Sequence, residues 1–210
     1  MKKLLLLFLI LSPFLALTQN TVKIVHQNYT TVFDTVKHYP VVVDWWDTKA
    51  RIGCSDKLPR VNAFAPDPQL PRQTNIVKDY IGSGYDKGHM CECEVNLCQG
   101  SQIEKECFYM DNMAPQWHSL NAGSWKKLEA NTRKIALECD SVHVWAGSLG
   151  EAKKIGRVSV PLFCWKVIYV KSLKQWKAYQ FSNTKDDSGN LNPETTVEAI
   201  ELQTGLKFEP

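Results

Sequence analysis

From residue 41 to 46 the chain reads VVVDWW, a β-branched and aromatic run that predicts a strand. Similar runs over 142–146, 160–170 and 176–181 predict three more, the second long and buried in character. Between the first two strands the period changes. Trp125, Leu128, Thr132 and Ile135 recur at helical spacing, which predicts a helix over about 121–138 with Asn121 in the capping position. The chain closes on residues 193–205, where Pro, Glu and Thr open a short helix and Gly205 ends it. Residues 56–72, rich in proline and aspartate, read as an ordered surface loop, and 187–190 as a turn. Residues 20–40 show no amphipathic period and read as a loose lead-in. Together these elements predict one α+β domain over 41–210, built on a mainly antiparallel sheet.

The first 18 residues stand apart. Two lysines precede an apolar run that ends near Ala16, followed by small or polar residues, which is the layout of a secretory signal peptide. The run is interrupted by Ser12-Pro13 and is short of the roughly 20 apolar residues that a membrane span needs. The mature chain is therefore expected to be exported and soluble. Of 25 basic residues, Lys2 and Lys3 leave with the signal, so 23 face 22 acids and the net charge is about +1. Bulk charge carries no case for a nucleic-acid partner, and any attraction for phosphate has to come from local pairs such as Lys126-Lys127.

All seven cysteines, Cys54, Cys91, Cys93, Cys98, Cys107, Cys139 and Cys164, lie beyond the signal. In an exported chain they are disulfide candidates, and their odd number leaves at least one thiol free or paired with a second copy in a homodimer. Zinc held by Cys91, Cys93, Cys98 and Cys107 is the weaker alternative, because the spacing is no standard finger. Sequence does not assign the pairs.

Within this cysteine-rich region stands YDKGHM, residues 85–90. Gly82, Gly84 and Gly88 allow tight backbone turns that would hold His89 on a rigid hairpin edge. Asn121, Glu129 and Arg133 then offer an amide oxygen, a carboxylate and a cation along one predicted helix. An imidazole, oxygen ligands for a hard cation, and arginines are the equipment for attacking a phosphodiester with water.

DKGH resembles the DRGH signature of the DNA/RNA non-specific endonucleases, nucleases of the ββα-metal fold. DNMAPQWHSLNAGSWKKLEANTR is similar to the family's second motif and keeps its N-x-G-x-W-x3-E-x3-R spacing. RVNAFAPDPQLP resembles the arginine-containing loop before DRGH, and VPLFCWKVIYV and IELQTGLKF resemble the family's proline-led strand and terminal helix. The resemblance covers residue 41 to the end. It implies His89 as general base, Asn121 as protein ligand of Mg²⁺ (Mn²⁺ or another divalent ion being compatible), and Glu129 orienting metal-bound water. Arg60 and Arg133 would face phosphate charge, with Asp86, Lys87, Asn112 and Gln116 in support. The implied substrates are DNA and RNA, cut without strong sequence preference. Lys87 replaces the family's arginine, keeping the charge but not the planar fork. His118 matches no motif position. The competing readings are a catalytically silent nucleic-acid-binding protein and a toxin of the same fold with a restricted substrate. At the level of single residues, Asn121 would then be a helix cap, Glu129 with Arg133 an exposed ion pair, and Arg60 a loop residue.

Overall fold

The computed structural model describes residues 20–54, 59–60, 62–186 and 194–210. The signal segment and the 187–190 turn lie outside the described residues. Seven strands form the main sheet: β1 (Thr21–Val25), β2 (Thr30–Asp34), β3 (Tyr39–Thr48), β6 (Ser141–Leu149), β9 (Phe163–Val170), β10 (Gln175–Ser182) and β11 (Glu194–Thr195). They are hydrogen-bonded in that order, every pair antiparallel. Two short ribbons lie outside it, β4 (Tyr85–His89) with β5 (Met113–Trp117), and β7 (Lys153–Ile155) with β8 (Val158–Val160).

The expected α+β class and antiparallel sheet are found, and the four predicted strands correspond to β3, to β6, to β8 with β9, and to β10. Pro161 and Leu162 divide the run over 160–170 into β8 and β9. Residues 20–40 require a correction, because they hold β1 and β2 and extend the sheet beyond β3. The closing helix is also later than expected: α6 spans Val197–Thr204, with Thr196 as its cap accepting from the Ala199 amide. Gly205 follows it at φ 73, the left-handed position that favours glycine. The proline-rich loop contains one turn of helix, α2 (Pro71–Thr74).

The sheet separates two apolar layers. On one face α5 (Lys126–Cys139) sets Leu128 and Ala136 against Val142, Val144 and Ile168, with Trp125 at its head. On the other, Ile200 of α6 and Phe208 cover Trp145, Trp165 and Val167. Strand alternation dictates this division, since Trp145 and Val167 point opposite to Val144 and Ile168. The segment joining β4 to β5 carries α3 (Ser101–Cys107). The Cys54–Cys98 disulfide staples this connection to the end of α1 (Lys49–Ile52). It removes Cys98 from any zinc set, and Cys91, Cys93, Cys107, Cys139 and Cys164 are unbridged.

Candidate active site

β4 and β5 pair antiparallel with His89 opposite Met113, Gly88 opposite Ala114 and Asp86 opposite Gln116. β5 runs directly into α4 (His118–Leu120), then a π-helical turn (Asn121–Trp125), then α5. The result is two strands and a helix that meet at one cleft. Steps of four residues place Trp125, Glu129 and Arg133 along one side of α5, and the kink at Gly123 (φ −98, ψ −111) brings Asn121 to the same cleft. Trp125 fixes the junction, its indole nitrogen donating to the His89 carbonyl at 3.0 Å.

Gly88 is required at its position. A Cβ there would lie 2.0 Å from Oε1 of Gln116, which is itself completely buried. Gln116 therefore crosses the strand where a side chain would otherwise stand. Asn112 braces the next step: its amide accepts from Cys91 N and donates to the carbonyls of Cys91 and Cys107, all at 2.8–3.0 Å. Of the four expected supporting residues, Asn112 and Gln116 lie behind the histidine and hold its strand, and neither lines the cleft, whereas Lys87 does.

The cleft has a volume of about 240 Å³ and is lined by Arg60, Lys87, His89, Asn121, Glu129 and Arg133, together with Glu92, Cys93, Glu94, Ala122 and Lys126. Residues drawn from three separate stretches of sequence, 60, 87–94 and 121–133, thus converge. His89 is more enclosed than the predicted hairpin edge implies, at 8% exposed between Phe64 and Phe108, with ring centroids at 5.8 and 5.3 Å. Burial, and after it the positive charge of Arg60, pushes its pKa down to about 3, so the imidazole is neutral, and its buried Nε2 has no hydrogen-bond partner.

Asn121 is not the expected N-cap of the following helix; it closes α4 as its C-cap. Its backbone is already helical (φ −58, ψ −50), and its side-chain nitrogen donates to Asp86 Oδ2 at 2.9 Å. With the nitrogen engaged there, the amide oxygen remains as a donor to a cation. Burial raises Glu129 to about 7, against the opposing charge of Lys166. Arg133 does not pair with Glu129; it forms a salt bridge with the buried Glu92. Arg60 reaches Glu94 at 3.3 Å and Asn62 at 2.9 Å, and packs over Phe108. Lys87 lies 4.8 Å from the Phe64 ring centroid. His118, matched to no motif, makes a 2.8 Å contact with Asp86 through Nδ1.

Sequence reasoning missed Glu92 and Glu94, which hold the two arginines, because CECE was read for its cysteines. It also missed Lys166, which is fully buried on β9 and lies 4.5 Å from the Trp125 ring centroid. A separate cluster, His26 with Asp67 and Asp111, has three donor atoms within 4.8 Å of one another, a spacing that could hold a cation. None of its members lines the cleft. Burial alone would lower His26, but hydrogen bonds to Asp111 and Asp67 outweigh it and raise the imidazole to about 9. The imidazolium thus already supplies a cation between the two aspartates.

Comparison with known proteins agrees with the fold and the motifs. The family model described as DNA/RNA non-specific endonuclease matches residues 12–210, and the chain belongs to that family. It is 29% identical over 206 residues to the mitochondrial nuclease EXOG of Xenopus laevis, covering 87% of this chain and 57% of that protein. It is 30% identical over 158 residues to a nuclease of Serratia marcescens, covering 67% and 58%. The chain spans about half the length of the curated relatives it matches. A crystal structure of an EndoG/EndoGI complex superimposes with a TM-score of 0.76 at 26% identity, covering 89% of this chain and 84% of that one. The ββα-metal fold expected from the motifs is thereby shown.

Proposed function

We propose that this protein is an exported, divalent-metal-dependent endonuclease that hydrolyses phosphodiester bonds of DNA and RNA with little sequence preference. The observation that carries the reading is the cleft itself, where a buried neutral imidazole, an oriented amide oxygen and a carboxylate face four cationic side chains, Arg60, Lys87, Lys126 and Arg133. Oxygen donors of this kind suit a hard cation such as Mg²⁺. When bound by Asn121, with Glu129 orienting its waters, the ion would neutralise phosphate charge and assist the leaving oxygen.

His89 takes the proton from the attacking water through its unpartnered nitrogen. A phosphate entering the cleft offsets the charge of Arg60 and makes the imidazole more basic, so the base strengthens when substrate is present. Arg60 and Arg133 face the charge that grows on the phosphoryl oxygens. Lys87 and Lys126 contribute positive potential along the backbone path. Contacts to phosphate carry no sequence information, which accounts for the weak preference. The amino-terminal signal layout and the Cys54–Cys98 bond both support an oxidising compartment outside the cytoplasm.

The test is digestion of supercoiled plasmid and of structured RNA with Mg²⁺ or with EDTA, beside His89→Ala. Mg²⁺-dependent cutting of both substrates, reduced about 10²–10⁴-fold in the variant, is expected. Folded wild-type protein that binds nucleic acid but cuts neither substrate with any divalent ion would favour the silent binding protein.

A further inference from the structure

Two unbridged cysteines stand at the wall of the cleft. Cys93 opens a turn of 3-10 helix (Cys93–Val95) and lines the cleft, and Cys107 ends α3. Their sulfurs lie 2.9 Å apart, about 0.9 Å beyond a covalent S–S bond and too close for two separate thiols at rest. Both are buried, at 1% and 0% exposure. They share an apolar cluster with Leu97 and Phe108, and the Cys107 sulfur also lies 2.8 Å from the Glu104 carbonyl oxygen. Among the described residues, no second pair of unbridged cysteines has a sulfur–sulfur contact of this kind.

We infer that Cys93 and Cys107 form a second disulfide in the mature protein, and that this bond positions the catalytic arginines and His89. Two thiols lose two protons and two electrons as the S–S bond forms. A disulfide oxidant, either a small molecule or a protein, accepts the electrons and leaves as two thiols. Because both sulfurs are enclosed in the folded chain, the exchange belongs to folding, before the cluster closes.

The neighbours of each cysteine give the bond its consequence. Cys93 lies between Glu92, which pairs with Arg133, and Glu94, which pairs with Arg60. Cys107 precedes Phe108, which packs against both His89 and Arg60. A covalent tie between 93 and 107 therefore joins the wall that holds the arginines to the wall that holds the base. Cys54 and Cys98 do not line the cleft, and their bond anchors the loop.

This consequence rests on the nuclease reading, whereas the bond itself does not. The experiment uses the mature protein folded in a glutathione redox buffer and shown to carry Cys54–Cys98. It is denatured without reductant, alkylated, digested and mapped by mass spectrometry. The expected map joins Cys93 to Cys107 and finds Cys91, Cys139 and Cys164 alkylated. Alkylation of both Cys93 and Cys107, or a bond from Cys107 to any other cysteine, overturns the assignment. In the Cys93→Ser/Cys107→Ser variant, kcat/KM is expected to fall about 10-fold with the circular dichroism spectrum unchanged. A folded variant with wild-type kcat/KM overturns the positioning role. If the wild type has no nuclease activity but the map shows the bond, the nuclease reading fails and the disulfide stands.

Discussion

The side-chain nitrogen of Asn121 donates to Asp86 Oδ2 at 2.9 Å, and this single hydrogen bond decides which end of the amide faces the cleft. The aspartate of the DKGH motif is thus hydrogen-bonded to the asparagine of the second motif, across 35 residues of sequence. Asp86→Ala leaves the amide free to rotate, and the apparent Mg²⁺ affinity read from activity titrations is expected to fall about 10–100-fold. Substrate affinity in EDTA should be little changed. An unaltered Mg²⁺ titration would show that Asp86 does not orient the ligand.

Gly88 and Gln116 occupy the same space in a different sense. A Cβ on residue 88 would meet Oε1, Cδ and Cγ of Gln116 at 2.0, 2.4 and 2.8 Å. Since Gln116 is enclosed, it cannot swing out to solvent. Gly88→Ala is expected to cost about 1–3 kcal/mol in urea unfolding, in the manner of other overpacked cores. Shortening the opposing chain as well, in Gly88→Ala/Gln116→Ala, should recover most of that loss. Failure of the double variant to recover would place the strain elsewhere.

How much of this was readable in advance follows from what each strand has to bury. β3, β6, β9 and β10 carry β-branched and aromatic runs because they lie inside the sheet, and those runs are visible in one dimension. β1 and β2 lie toward one edge, and TVKIV buries only Ile24, so no period shows. β4, YDKGH, has almost no apolar content. Its pairing depends on Gln116, Trp125 and Asn112, which are distant in sequence and became informative only through the motif resemblance. The partners of Arg60 and Arg133 were hidden for the same reason: a glutamate between cysteines has no signature until the arginine arrives in space.

His26 contacts Asp111 Oδ2 at 2.8 Å and Asp67 Oδ2 at 3.2 Å, with all three side chains almost without solvent. Its pKa is raised to about 9, so the folded protein holds this proton more tightly than the unfolded chain does. The stability it contributes is complete below pH 6.5 and is lost as pH rises through 9. Thermal unfolding of the wild type should show this alkaline decline, and His26→Ala should lose the slope. The same variant leaves two buried carboxylates without their cation and is expected to be less stable by about 3–5 kcal/mol at pH 6. An undiminished slope in His26→Ala would assign the decline to another group.

Lys166 is fully buried and Glu129 half-buried in the cleft wall, and burial pushes them in opposite directions, the lysine down and the glutamate up to about 7. The lysine's charge is the largest influence opposing the rise of Glu129. In Lys166→Met that opposition is gone, and Glu129 should hold its proton to higher pH. The acidic limb of the kcat/KM profile is expected to move toward alkaline pH, with activity at pH 6 falling more than activity at pH 8.5. An unmoved limb would mean that Glu129 does not govern it.

His89 is the reverse of His26. Burial and the Arg60 charge lower it to about 3, so the unfolded chain binds this proton more tightly. Its contribution to stability is therefore present above pH 6.5 and is lost as pH falls toward 3, a loss on the order of a few kcal/mol. In the metal-free protein, the His89 ring resonances should not titrate between pH 5 and 8. Adding a non-hydrolysable oligonucleotide phosphorothioate should bring the His89 transition upward, because phosphate in the cleft counters Arg60. A ring that titrates near 6.5 in the free protein would contradict the enclosure seen here, and one that ignores the oligonucleotide would separate the base from the phosphate-binding cleft.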